Sequence, residues 1–135
     1  MPCSKGKRLN VLGIYNRENR FHPFGTEGRT DSQFVIGAID QFAGGISRPT
    51  VLVVDNAPIH TSKLFKEKIE GWAEGDLYIF YLPKYSPELN LIEILWRFVK
   101  YEWLEVEAYR SWECLMENLD EIFGHIGTKY TINFK

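Results

Sequence analysis

Short apolar runs alternate along the chain with stretches of helical period, and that order predicts an α/β fold. Leu9 to Tyr15 predicts a strand, Asn16 to Arg20 a polar turn and Phe21 to Phe24 a second strand, together a hairpin. Thr30 opens a helix through a Thr30-x-x-Gln33 capping box. Its apolar stripe is Phe34, Val35, Ala38, Ile39 and Phe42, and Gly44-Gly45 stops it. Thr50 to Val54 is a β-branched run ending abruptly in Asp55. Such a run predicts a buried parallel strand, with the acid at its C-terminal end. Thr61 or Ser62 caps the next helix, which turns Phe65, Ile69 and Trp72 to one side and ends at Gly75, and Leu77 to Leu82 predicts the following strand. Pro83 and Pro87 bracket a turn. A helix from Asn90 to about Trp103 points Ile92, Leu95, Val99 and Trp103 inward, and Ser111 starts a last helix with Trp112, Leu115, Leu119, Ile122 and Ile126 in register.

Composition narrows the class. At 135 residues with 44% hydrophobic and 15% aromatic content, the chain is too apolar for disorder and long enough for one domain with a core. A net charge of −2 gives no overall basic footprint, so any nucleic-acid contact must be local. Cys3 and Cys114 form no CxxC pair, and neither a signal peptide nor an apolar stretch of transmembrane length is visible. These features suit a reducing cytoplasm and no membrane.

Two segments carry candidate chemistry. The first is Val54-Asp55-Asn56-Ala57-Pro58-Ile59-His60; the second runs from Leu82-Pro83-Lys84-Tyr85-Ser86-Pro87 through Glu88-Leu89-Asn90-Leu91-Ile92-Glu93, with Trp96 one turn on. Each has a structural reading. Asp, Asn and Pro are common in strand-ending turns, and Glu93 stands where a carboxylate helps cap a helix begun at Asn90, four residues before Arg97. His60 could cap, pack or orient a ligand. Lys63, Lys66 and Lys68 read as a solvated helix face, Arg97 and Lys100 share the Glu93 face, and Trp96 and Trp103 read as packing residues.

Together, and in this order, the two segments resemble the DDE-superfamily transposases of the mariner-like bacterial insertion-sequence group. The resemblance implies an RNase H-like mixed sheet flanked by helices and three acidic residues that use Mg²⁺ (or Mn²⁺) to cut DNA and join strands. Carried over, Asp55 is the second acid and Glu93 the third, both catalytic and both metal ligands. Asn56, His60 and Asn90 become candidates for supporting them, and Lys84, Arg97 and Lys100 candidates for DNA contact. Residues 56 to 92 separate the two acids, slightly more than the group's usual spacing, and the excess is expected as loop around Gly71 to Asp76.

The departures carry expectations of their own. Ser4-Lys5-Gly6-Lys7-Arg8 resembles the end of the loop that follows the first catalytic strand, and no Asp or Glu precedes Glu18, so the resemblance leaves the first acid and its strand absent. Leu91 stands where the family usually has Pro. Residues 1–135 thus read as a single, N-terminally truncated RNase H-like domain, with metal weakly bound and little activity alone. The expected partners are transposon-end DNA and either a second copy or a complementing N-terminal fragment supplying a strand. The alternative is a non-catalytic remnant or interaction module that pairs with intact transposase; a different RNase H-like nuclease fits the second segment less well.

Overall fold

The computed structural model describes residues 9–84 and 90–134. Secondary structure follows in the order β1 (Asn10–Tyr15), β2 (Phe21–Thr26), α1 (Ser32–Gly45), β3 (Thr50–Val54), α2 (Lys63–Glu74), β4 (Leu77–Tyr81), α3 (Leu91–Phe98) and α4 (Trp112–Gly124). A π-helical turn, Val99–Trp103, continues α3, and a 3₁₀ segment, Val106–Arg110, precedes α4. The architecture is mixed α/β, as the patterning predicts. The expected turn between Pro83 and Pro87 and the segment Ser4 to Arg8 lie outside the described residues.

The chain forms two compact units, one built from both ends, Met1–Gly28 with Leu91–Lys135, and one from Arg29–Asn90. In the first, β1 and β2 pair antiparallel from Asn10↔Thr26 to Tyr15↔Phe21, a hairpin two residues longer at its far end than predicted. Leu95, Val99, Ile122 and Ile132 form its buried core, with Phe21, Trp96, Phe123 and Trp103 packed around them. Trp96 meets Phe21 edge-on at 5.9 Å, and Trp103 lies 5.1 Å from Tyr130, so both tryptophans pack as expected.

Two devices hold this unit together. Gly13 allows β1 and α3 to pack closely, because a Cβ there would sit 2.6 Å from Ile92 Cδ1 and 2.9 Å from Trp96 Cζ2, and 2.8 Å from Phe21 Cε1 of β2. The second is Asn19, in the left-handed region at φ 64° in the hairpin turn. Its side chain accepts from the Ile132 N–H at 2.7 Å and donates to the Ile132 C=O at 3.0 Å, and Tyr15 Oη also donates to Asn19 Oδ1. One amide thus ties the N-terminal hairpin to the C-terminal segment.

In the second unit β3 and β4 pair parallel, Thr50↔Leu77 to Val54↔Tyr81, with α2 as the crossover. Val35, Ile39, Phe65, Trp72 and Leu77 are buried. Trp72 Nε1 donates to Asp40 Oδ1 at 2.8 Å and Lys68 pairs with the same oxygen at 3.3 Å, joining α1 to α2.

Several expectations are corrected. The first helix is capped by Asp31, whose side chain accepts from Phe34 N–H, rather than by Thr30, and it runs through Gly45. An Asp one residue nearer the helix offers the stronger acceptor to the same first turn. Buried Ile36 joins its core stripe, while Phe34 and Phe42 are only half-buried. Gly71 lies inside α2 and only Gly75 and Asp76 separate α2 from β4, so no surplus loop exists there. The β3 run is not buried on both faces either. Val54 is buried, but Val51 and Val53 are 61% and 43% exposed and stand in register with exposed Tyr78 and Phe80.

Burial pushes the Tyr15 phenol up to about 12. The neutral form is thereby favoured in the folded chain, so its contribution is complete below the ordinary tyrosine value near 10 and is lost as pH rises from there toward 12. The urea midpoint is expected to fall over that window, and less steeply in Tyr15→Phe; equal slopes for the two proteins would contradict the assignment. Gly13→Ala is expected to cost about 1 to 3 kcal/mol through overpacking against Ile92, Phe21 and Trp96. A variant as stable as wild type in urea would show that the close approach is not limiting.

Candidate active site

The sequence that follows β3 folds back on itself. Asp55 Oδ1 accepts from the Ala57 N–H at 3.0 Å, a local turn typical of Asp. Pro58, with its fixed φ and no N–H to satisfy, then occupies the second position of the turn closed by His60 N–H to Ala57 C=O at 2.9 Å. The reversal returns His60 to the strand end, with Nδ1 2.9 Å from Asp55 Oδ1 and 3.3 Å from the Asp55 carbonyl. Both neighbours of Nδ1 are acceptors, which assigns the proton to Nδ1 in the neutral ring. Beyond this, Ser62 caps α2 by accepting from Phe65 N–H, as the sequence predicts.

The turn is also pinned to β4. Leu82 N–H donates to the Val54 C=O at 2.8 Å, and Asn56 Nδ2 donates to the Leu82 C=O at 2.6 Å, so the Asn56 amide acts as one further rung of the ladder. Tyr81 Oη donates to the His60 carbonyl, and desolvation pushes its phenol above the ordinary tyrosine range. The Asp55 carboxylate emerges from this frame half-exposed, at 49%, while the imidazole is only 17% exposed and lies against Phe65 at 5.4 Å between ring centres. Among the described residues both hydrogen bonds to the carboxylate fall on Oδ1, and Oδ2 receives none.

Glu93 lies in the first turn of α3, in the other unit. Ile92, Leu95, Trp96 and Val99 turn inward, which leaves Glu93, Arg97 and Lys100 on the exposed side, the shared face that their spacing predicts. None of the described ion pairs joins Glu93 to Arg97. Lys84 is exposed just beyond Pro83, and Asn90 is half-buried immediately before α3. Asp55, Asn56 and His60 are thus brought together within one unit, whereas Glu93, Arg97 and Lys100 belong to the other. Among the described residues no three His, Cys, Asp or Glu side chains are grouped so as to hold a metal ion.

Tyr81 is the contributor that the sequence reading missed. Its signal was the parallel pairing, because a Tyr one residue before Leu82-Pro83 stands opposite Val54 and hence beside the Asp55 turn.

The sequence matches the DDE superfamily endonuclease family over residues 2–116, and the chain belongs to that family. The described elements form a mixed α/β architecture. Among solved structures, a chain in the cryo-EM structure of the simian T-cell lymphotropic virus intasome in complex with PP2A regulatory subunit B56 gamma is similar, with 12% identity and a TM-score of 0.42. The match covers 82% of this chain and 45% of that one, so this chain spans less than half the length of its counterpart. No curated protein matches. No described helix is long and apolar enough to cross a membrane.

Asn56→Ala removes the last rung and leaves the carbonyl of buried Leu82 unpaired, at an expected cost of about 1 to 3 kcal/mol. Hydrogen exchange should localise the loss to the ends of β3 and β4. Unchanged protection of the Leu82 amide would count against the rung.

Proposed function

We propose that the chain is catalytic-domain material of a mariner-like transposase, acting in metal-dependent cleavage and transfer of DNA strands at transposon ends. The observation that carries this reading is the placement of Asp55: a half-exposed carboxylate at the C-terminal end of a parallel strand, on a turn pinned by Asn56 and Tyr81. Its Oδ2, which receives no hydrogen bond among the described residues, suits a hard cation, which takes oxygen ligands. The resemblance makes Asp55 and Glu93 each a ligand of Mg²⁺ or Mn²⁺, and the ion would activate an attacking oxygen and stabilise a leaving one.

The protein's own part is to present these oxygens and to seat the DNA. Asp55 is presented by the turn, and Glu93 by the apolar face of α3, which fixes the helix's rotation. Lys84, Arg97 and Lys100 supply phosphate contacts local enough for a chain whose net charge is −2. The two compact units form one catalytic domain in this reading. The resemblance assigns two of the family's three carboxylates among these residues, and the partners we propose are transposon-end DNA with either a second copy or a complementing N-terminal fragment. Its place of work is the cytoplasm.

The test is complementation on a plasmid carrying the element's own ends, with Mn²⁺ present. The chain alone is expected not to cleave, and cleavage is expected on adding a fragment that carries the first acid. Asp55→Asn or Glu93→Gln should each reduce it by more than about 100-fold, since even groups outside the ligand shell cost 10- to 100-fold. Cleavage that survives either substitution would refute the assignment of that acid. Inhibition of an intact transposase, without complementation, would instead identify a non-catalytic interaction module.

A further inference from the structure

The five-residue spacing of Asp55 and His60 has a consequence for how the carboxylate can act. Its Oδ1 takes two hydrogen bonds, from the Ala57 N–H at 3.0 Å and from His60 Nδ1 at 2.9 Å. A carboxylate on a single Cβ can rotate about χ2 and exchange its two oxygens, and one backbone bond opposes that rotation only weakly. A second donor on the same oxygen opposes it more strongly. The imidazole is itself held: its ring lies against buried Phe65, its own backbone carbonyl accepts from Tyr81, and its backbone N–H is spent on Ala57.

We propose that His60 is a positioning residue for metal binding at Asp55: its Nδ1–H locks Oδ1 and so presents Oδ2 as a one-oxygen ligand. The inference rests on the functional reading above, in which Asp55 is a metal ligand, and adds to it the group that sets the ligand's orientation. The donor at Nδ1 does this work rather than the bulk of the ring. Asn can place its Nδ2 where Nδ1 stands, whereas Phe keeps the ring and loses the donor.

The experiment is Mn²⁺ titration of the full 135-residue chain, followed by paramagnetic broadening of the Asp55 and Ala57 amide resonances, with thermal unfolding measured in parallel. Asp55→Asn is expected to abolish site-specific broadening. His60→Phe is expected to weaken Mn²⁺ binding by roughly 10- to 100-fold, the usual effect of losing a hydrogen-bond partner behind a ligand, while His60→Asn stays within about threefold of wild type. A merely structural histidine predicts the reverse order, with Phe tolerated and Asn harmful. If His60→Phe binds Mn²⁺ as wild type does while Asp55→Asn does not, the positioning role fails and the functional reading stands. If wild type shows no broadening near Asp55, the positioning role and the assignment of Asp55 as a metal ligand both fail. The ring tautomer of wild-type His60, read from long-range nitrogen–proton correlations, decides independently of any variant's folding: the Nδ1–H form is expected, and the Nε2–H form would overturn the proposal.

Discussion

The hydrogen bonds at Leu82 are the constraint on which the Asp55 site depends. A parallel pair of two strands is a weak frame, because its slanted bonds are slightly less stabilising per residue and, among the described residues, no third strand supports them within the sheet. Beyond the last strand pair, Val54↔Tyr81, the backbone would ordinarily fray. Here Leu82 gives its N–H to Val54 and takes the Asn56 side-chain amide on its carbonyl, so the residue on either side of Asp55 is bonded to the same neighbour. Asp55 is therefore a bridge between two fixed points. The Pro58 turn and the Tyr81 hydroxyl extend that fixity to His60, and only then does an imidazole–carboxylate contact at 2.9 Å become a property of the fold rather than of a mobile loop.

The Glu93 side obeys a different logic: among the described residues no hydrogen bond presents the acid, and packing does. With Ile92 and Trp96 seated over Gly13, and Leu95 and Val99 in the core, rotation of α3 about its axis would bury charge and expose large apolar surface. Glu93, Arg97 and Lys100 occupy the face that remains. The π-helical turn at Val99–Trp103 follows directly, and its wider winding lets Val99 stay buried while Trp103 reaches Phe98 and Tyr130. Asn19 closes the unit by holding Ile132, a residue 113 positions away, so the platform under α3 is completed only when the chain's last segment docks.

Much of this was legible from residue order. Ser62 and Ser111 cap the helices that the periodicity predicts, Gly75 ends α2, and the Asp55 and Glu93 segments stand at a strand end and a helix start. What escaped depends on partners remote in sequence or on competition between neighbours. Thr30 and Asp31 both offer an oxygen to one helix start, and the capping-box pattern with Gln33 masks the stronger acceptor of Asp31, which takes the Phe34 N–H. The β-branched run at β3 reads as doubly buried, yet exposure depends on what covers each face, and the Val51, Val53, Tyr78 and Phe80 side stays open. The 3₁₀ segment Val106–Arg110 has no apolar period to announce it, since only Ala108 is buried. Assembly of one unit from both chain ends rests on contacts such as Asn19 with Ile132 that no window along the sequence contains.

The way the carboxylate is held also bears on which cation it suits. A carboxylate free at both oxygens can grip a large ion with both, the mode common at calcium sites, whereas magnesium demands near-ideal octahedral geometry at shorter distances and is usually met by single oxygens, with water completing the shell. With Oδ1 engaged by both Ala57 and His60, two-oxygen ligation by Asp55 would displace one of these hydrogen bonds to a carboxylate, worth about 1.5 to 3 kcal/mol. One-oxygen ligation through Oδ2 breaks neither. Under the proposed metal-binding role, the hydrogen bonds that fix the turn would favour the smaller divalent ions, and that preference would arise from the way a six-residue sequence, Asp55 to His60, folds upon itself.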